Sequence, residues 1–82
     1  MALKTKIVMR RVVDPAALYA DIGRRMRLAR ERAGVTQREV GFAIGMSGAN
    51  VANLEAGKTR ILLDHIYNAA LLLDIPVQKL LP

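Results

Sequence analysis

One stretch of the chain, residues 34–58, constrains the fold more than any other, because it predicts a helix, a tight turn and a second helix. Thr36 is followed three residues later by Glu39, which is the spacing of a capping box at a helix start. Gly45 stands where a residue with positive φ ends that helix, and Ser47 is an N-cap for the next one. Apolar residues at helical spacing predict the inward faces: Val40 and Ile44 in the first helix, and Val51 and Leu54 in the second, which Gly57 closes.

Two short helices around one glycine form a helix-turn-helix, whose second helix is shaped to enter the DNA major groove. This stretch resembles the Cro and phage-repressor (Xre-type) helix-turn-helix family, with its G-x-T-Q start, G-apolar-S turn and E-x-G-K end. A looser similarity extends from about Ile22 to Leu80. The positions that match the family pattern are Gly34, Thr36, Gln37, Val40, Gly45, Met46, Ser47, Val51, Leu54, Glu55, Gly57 and Lys58.

Helical periodicity continues on both sides of this motif. Asp14 as N-cap and Pro15 at the first helical position begin a helix that we expect to reach about Ala33, with Gly23 as a weak point. A further apolar helix is expected within residues 61–73. The predicted inward residues are Leu18, Ile22, Met26 and Ala29 in the first of these helices, and Leu63, Ile66, Ala70 and Leu73 in the second.

These elements predict an all-α fold, a five-helix repressor-like helix-turn-helix domain over residues 14–82. Its last helix is a short turn containing Val77 and Leu80. Residues 1–13 lie outside the resemblance, and their apolar and basic residues partly alternate. Two interpretations stay open: a short β-strand that needs a partner strand, which the apolar content favours, or a flexible basic arm along DNA.

Composition restricts the class of protein. Thirteen Lys and Arg against seven Asp and Glu give a net charge of +6, which favours nucleic acid as the partner. Without cysteine there is no disulfide or thiolate metal site, which fits a reducing cytoplasm. No apolar run approaches the roughly 18 residues of a membrane span, so we expect no membrane partner. A single domain of 82 residues is marginal in stability, which favours dimerisation.

Catalytic patterns are not found in this sequence. His65 is the only histidine, and it has no cysteine beside it to complete a metal site. No Ser-His-Asp set, carboxylate pair or phosphate-binding loop is present, because Gly45 and Gly48 precede no Walker-type Lys-Ser/Thr. We therefore expect a non-enzymatic protein with no catalytic residue, no metal and no cofactor.

The second helix of the motif is the candidate recognition helix, because small and polar residues occupy its outward face. Asn50 and Asn53 can pair bidentately with adenine, and Ala49 can contact a thymine methyl group. The family often has long polar side chains, commonly Gln, at the positions of Gly48 and Ala49. Without these side chains, one interpretation is that sequence specificity depends on the two asparagines and on DNA shape. The other interpretation is that DNA binding has been lost.

Contacts to phosphate are expected on either side of this helix. The resemblance implies them for Gln37 and for the loop that begins at Lys58, and Arg38 is either a further contact or part of a solvated helix face. It also implies a structural ion pair between Arg30 and Glu55. The complete set of candidate DNA-binding residues is Gln37, Arg38, Ser47, Gly48, Ala49, Asn50, Asn53, Lys58, Thr59 and Arg60.

The last third of the chain has more apolar residues than one small core requires, and exposed apolar clusters mark interaction sites. In the family the last helices often form a dimer contact, so the resemblance implies a twofold homodimer. The alternative is a fuller intrachain core covered by the N-terminal segment. The candidate dimer contacts are Leu62, Tyr67, Leu71 and Val77.

Taken together, these features predict a DNA-binding transcriptional regulator, a repressor or controller of its own operon. It is expected to act in the cytoplasm as a homodimer on a palindromic operator in double-stranded DNA. The alternative is a protein-interaction module on the same fold, an antitoxin or antiactivator that binds a second protein through its apolar surface.

Overall fold

The computed structural model describes residues 13–82, and the regular elements in that range are all helical. They are α1 (Pro15–Ala33), α2 (Gln37–Ile44), α3 (Gly48–Glu55), α4 (Leu63–Leu73) and a 3-10 helix (Val77–Leu80). The all-α prediction is therefore confirmed for this part of the chain, with four α-helices in place of five, because the expected fifth helix is a single 3-10 turn. The strand or arm expected over residues 1–13 lies, apart from Val13, outside the described residues.

Each predicted helix start in the first half of the fold is formed by the expected side chain. The Asp14 carboxylate accepts a hydrogen bond from the Ala16 N–H at 3.1 Å. At α2 the Thr36 hydroxyl accepts from the Glu39 N–H at 3.1 Å, and the Glu39 carboxylate accepts from the Thr36 N–H at 3.0 Å. These side chains satisfy backbone donors that a helix start leaves unpaired. Local sequence therefore determines where these helices begin.

The core lies where α1, the α2–α3 pair and α4 meet, and the 3-10 helix closes its C-terminal end. Val51 and Leu54 of α3 are completely buried there. Leu18 and Ala29 pack at the edge of this core, so the predicted inward face of α1 is confirmed. The buried apolar residues are Ile22, Met26, Val40, Ile44, Val51, Leu54, Ile66, Ala69, Ala70, Leu73 and Leu80.

Gly23, expected to weaken α1, is a packing position within an unbroken helix. A Cβ atom built on Gly23 would lie 2.3 Å from the Leu54 carbonyl oxygen and 2.8 Å from that of Glu55. The backbone of α1 therefore approaches the end of α3 more closely than any side chain would allow. The helix-propensity cost of glycine is offset by this contact.

The predicted inward face of α4 is wrong at one position. Leu63 is 66% exposed, whereas Ala69, which was not expected inside, is completely buried. Ile61, just before the helix, packs against the core. The sequence of α4 is apolar on several sides, so its periodicity did not single out one face.

Candidate nucleic-acid interface

Helix α3 presents one face to the core and a small, polar face to solvent. Val51 and Leu54, on the inner face, are buried in the core, while Ala49, Asn50 and Asn53 are all exposed on the outer face. The two predicted base-reading asparagines are therefore free to reach a ligand, as their spacing required. The geometry agrees with a helix whose outer side chains contact base edges.

The start of α3 is determined by a tight turn. Gly45 has a φ of 80°, a left-handed conformation in which glycine is unstrained, and the Met46 N–H donates to the Gly41 carbonyl at 2.9 Å. The Ser47 hydroxyl then accepts from the Asn50 N–H at 3.1 Å. Ser47 is therefore occupied as the helix cap, although its side chain is exposed to solvent.

The buried carboxylate of Glu55, at the end of α3, joins this helix to α1 and to the start of α2. Glu55 is 7% exposed, and its two oxygens accept from Arg30 Nε at 2.7 Å and Arg30 Nη2 at 3.1 Å. Arg30 Nη1 also donates to the Val35 carbonyl at 3.0 Å. The hydrogen bond to Glu55 raises the pKa of the Arg30 guanidinium, so this guanidinium stays charged. The ion pair implied by the resemblance is thus present, and it links α1 to α3.

Gln37 belongs to the same network. Its Nε2 amide donates to Glu55 Oε1 at 3.0 Å, and the side chain is half-buried at the start of α2. One amide proton of Gln37 is thus used within the protein. The second amide proton of Gln37 and the N-terminus of α2 could still donate hydrogen bonds to an anion such as phosphate.

Three cations lie around the outer face of α3. Arg38, Lys58 and Arg60 are exposed, and none of the ion pairs formed within residues 13–82 includes them. The loop after α3 is held by the Lys58 N–H, which donates to the Asn53 carbonyl at 2.9 Å. Thr59, between the two loop cations, is exposed as well. The cations are therefore available to an external anion.

The glycine at the start of α3 is not required by packing. A Cβ atom on Gly48 would lie 3.4 Å from the Arg38 Cα and backbone nitrogen, which is ordinary contact. Since Gly48 also has a helical conformation with no positive φ, the backbone there does not demand glycine. The departure from the family pattern at this position is therefore not imposed by the backbone or by contact with a Cβ atom.

Sequence reasoning missed Phe42, whose side chain is 92% exposed on α2. It borders a recess of about 390 Å³ with Arg38, Met46 and Gly48, beside the start of α3. The signal was available, because Val40 and Ile44 point inward and helical spacing then turns Phe42 outward. The candidate interface thus has an exposed aromatic ring at its edge.

The four candidate dimer residues separate into two groups. Leu62, Tyr67 and Leu71 are exposed, with Leu71 at 78%, whereas Val77 packs half-buried against the core. The start of α4 has Leu62 in the N-cap position without a side-chain hydrogen bond, as its sequence predicted. The side chains of the first three residues are therefore in solvent, in α4 or directly before it.

Residues 13–82 contain no cluster of three His, Cys, Asp or Glu side chains that could hold a metal ion. Nor is any helix there long and apolar enough to cross a membrane. The Nδ1 atom of His65 is buried and has no hydrogen-bond partner among the described residues.

Comparison with known proteins agrees with this geometry. A family model described as a helix-turn-helix domain matches residues 21–71, more than half of the chain. A search of curated protein sequences finds no match.

Solved structures with the same fold include those of three bacterial proteins. The restriction-modification controller protein C.AhdI from Aeromonas hydrophila is 29% identical with a TM-score of 0.75, covering 83% of this chain and 99% of its own. The hypothetical transcription factor NHTF from Neisseria is 28% identical with a TM-score of 0.72, covering 87% and 82%. The clp gene regulator ClgR from Corynebacterium glutamicum, at 24% identity and a TM-score of 0.72, covers 76% and 66% and shows the fold alone.

Proposed function

Because this chain belongs to the helix-turn-helix domain family, we propose that it is a DNA-binding transcriptional regulator. The observation that carries this proposal is the outer face of α3, where small and polar side chains lie between unpaired cations. Such a surface complements the edges of bases and the phosphates beside them. Residues 14–82 are the proposed DNA-binding domain, and residues 1–13 are a proposed basic arm or strand.

In the proposed complex, α3 lies in the major groove. Asn50 and Asn53 hydrogen-bond to base edges, and Ala49 contacts a thymine methyl group. The buried pair of Arg30 with Glu55 positions α3 rigidly, so these side chains meet the groove without reorganisation. Ser47 and Gly48 begin the helix at the groove. The proposed phosphate contacts on either side are Gln37, Arg38, Lys58, Thr59 and Arg60.

We further propose that the protein acts as a homodimer on a palindromic operator. The exposed apolar side chains of Leu62, Tyr67 and Leu71 supply a self-complementary contact, with Val77 at its edge. Twofold pairing would place two recognition helices about 34 Å apart, one turn of DNA. The similarity to a restriction-modification controller protein supports a controller or repressor of its own operon.

Two measurements test DNA binding. Selection of bound duplexes from a random pool should enrich a sequence with twofold symmetry. Binding to that sequence should weaken steeply with salt, because phosphate contacts release counterions. Replacement of Lys58 or Arg60 by Ala should make the log–log salt slope shallower by about one unit without changing the selected sequence. A selection that enriches nothing, with no salt dependence, would refute the proposal.

One observation favours a second function, a protein-interaction module on this fold. Phe42 is almost fully exposed, and Gly48 supplies no base-reading side chain. An antitoxin or antiactivator would bind its target protein through such apolar surface. This function becomes the better proposal if the protein dimerises and folds normally but shows no enriched DNA sequence.

A further inference from the structure

A groove of about 590 Å³ runs between the second half of α1 and the segment that follows α4. It shares no residue with the candidate nucleic-acid interface. Its volume is in the range of small-molecule sites in proteins, about 300–1,000 Å³. Nothing in the proposed DNA-binding role uses this groove.

Four cations border the groove: Arg24, Arg25, Arg32 and Lys79. Arg24 and Arg25 share a single acid, Asp21. The ion pairs formed within residues 13–82 include neither Arg32 nor Lys79. An excess of like charge in one place repels itself, so an anion bound here would relieve that repulsion.

The floor of the groove is apolar. Leu28 lies one helical turn from Arg24 and from Arg32, and it is 41% exposed in the middle of this cationic stripe. Leu73 and Ile75 continue the floor on the opposite side. An apolar floor with cations at its rim complements a molecule that has a hydrocarbon body and an anionic head.

We propose that this groove binds a small amphipathic organic anion, such as a medium-chain carboxylate. Its chain lies on Leu28 and Ile75, and its head group accepts hydrogen bonds from Arg32 and Lys79. The proposal is independent of DNA binding, because the two surfaces have no residue in common.

Charge argues against the other occupants of the groove. Residues 1–12 contain four cations and no acid, so this segment would add to the repulsion. DNA phosphates would satisfy the cations but would leave the apolar floor uncovered, and an amphipathic anion satisfies both.

The test uses decanoate as the probe, below its micelle-forming concentration, with the ¹⁵N-labelled full chain at neutral pH. We expect saturable shifts of the backbone amides of Leu28, Arg32 and Ile75. The double variant Arg32→Gln/Lys79→Gln should weaken decanoate binding about tenfold, since two solvent-exposed charge contacts are lost. Arg27→Gln, an exposed arginine on the same helix outside the groove, is the matched control and should leave the dissociation constant unchanged.

Decanol, with the same chain and no charge, should bind at least several-fold more weakly than decanoate. Equal binding of decanol, or equal shifts at the exposed leucines of α4, would mean simple adsorption and overturn the proposal. Displacement of decanoate by random duplex DNA would assign the groove to the DNA surface and overturn it as well. Circular dichroism of each variant confirms that it is folded, and failure of decanoate to saturate the wild-type protein refutes the site.

Discussion

Helices α3 and α4 each leave one face in water, but the two faces differ in chemistry and in how they are held. The exposed face of α3 is small and polar, and the buried Glu55 network holds the helix from behind. The exposed face of α4 is apolar, and its start has no side-chain cap. The difference matches the two proposed partners: DNA, which requires precise placement of polar side chains, for α3, and a second subunit with an apolar surface for α4.

The largest effect should come from removing the carboxylate behind α3. Glu55→Ala leaves the Arg30 guanidinium, 14% exposed, without its charge partner, and we expect a loss of about 3–5 kcal/mol in the free energy of unfolding. Urea denaturation followed by circular dichroism measures it. The matched control is Glu31→Ala, whose carboxylate pairs with Arg27 in solvent and should cost less than about 1 kcal/mol. Similar losses in both variants would show that Glu55 does not hold α3 in place.

The apolar face of α4 is tested by Leu71→Glu. Since Leu71 is 78% exposed, the variant should fold as a monomer, with operator affinity about a hundredfold lower because each subunit loses its tethered neighbour. Sedimentation equilibrium and operator titration measure these two quantities. The control, Leu73→Glu, charges a buried core position and should unfold the protein. If the Leu71→Glu variant still dimerises, residues 1–13 become the better candidate for the dimer contact.

The polar face of α3 is tested by Asn50→Ala and Asn53→Ala. Each should weaken binding to the selected sequence by about 1–3 kcal/mol and leave binding to random DNA almost unchanged. Asn68→Ala, an exposed asparagine on α4, serves as the matched control and should have no effect. Equal losses on both kinds of DNA would reassign the residue to a backbone contact, and no loss from either variant would contradict base reading by this face.

The smallest expected effect on stability comes from the capping box at the start of α2, whereas the start of α4 has no side-chain cap. The Thr36 N–H and hydroxyl lower the pKa of Glu39 from its ordinary value of 4.5 by hydrogen bonding to its carboxylate. A lowered folded pKa means that this stabilisation is complete above pH 4.5 and is lost as pH falls through the lowered value. The difference in unfolding midpoint between wild type and Glu39→Gln should therefore be widest at neutral pH and narrow in acid. A constant difference would show that the carboxylate charge does not matter.

The sequence predicts well wherever the deciding contact is local. Thr36 with Glu39, Ser47 with Asn50, and the glycine at Gly45 act across three or four residues, so their spacing identifies them. The family resemblance extends this to one distant pair, Arg30 with Glu55, which the structure contains. The exposed placement of the two asparagines follows from the same helical spacing.

What remained undecided depends on how distant segments pack. The backbone of α1 is in close contact at Gly23 only because the end of α3 packs against it. Helix propensity alone predicted that Gly23 would weaken α1. Leu63 is exposed whereas Ile61 packs at the core edge, and the apolar sequence around the start of α4 does not decide between these two residues. The groove beside Leu28 exists only when the segment after α4 folds back along α1. Hydrogen bonds within one turn can be inferred from residue spacing, whereas the packing of remote segments is decided by the shape and volume of the whole core.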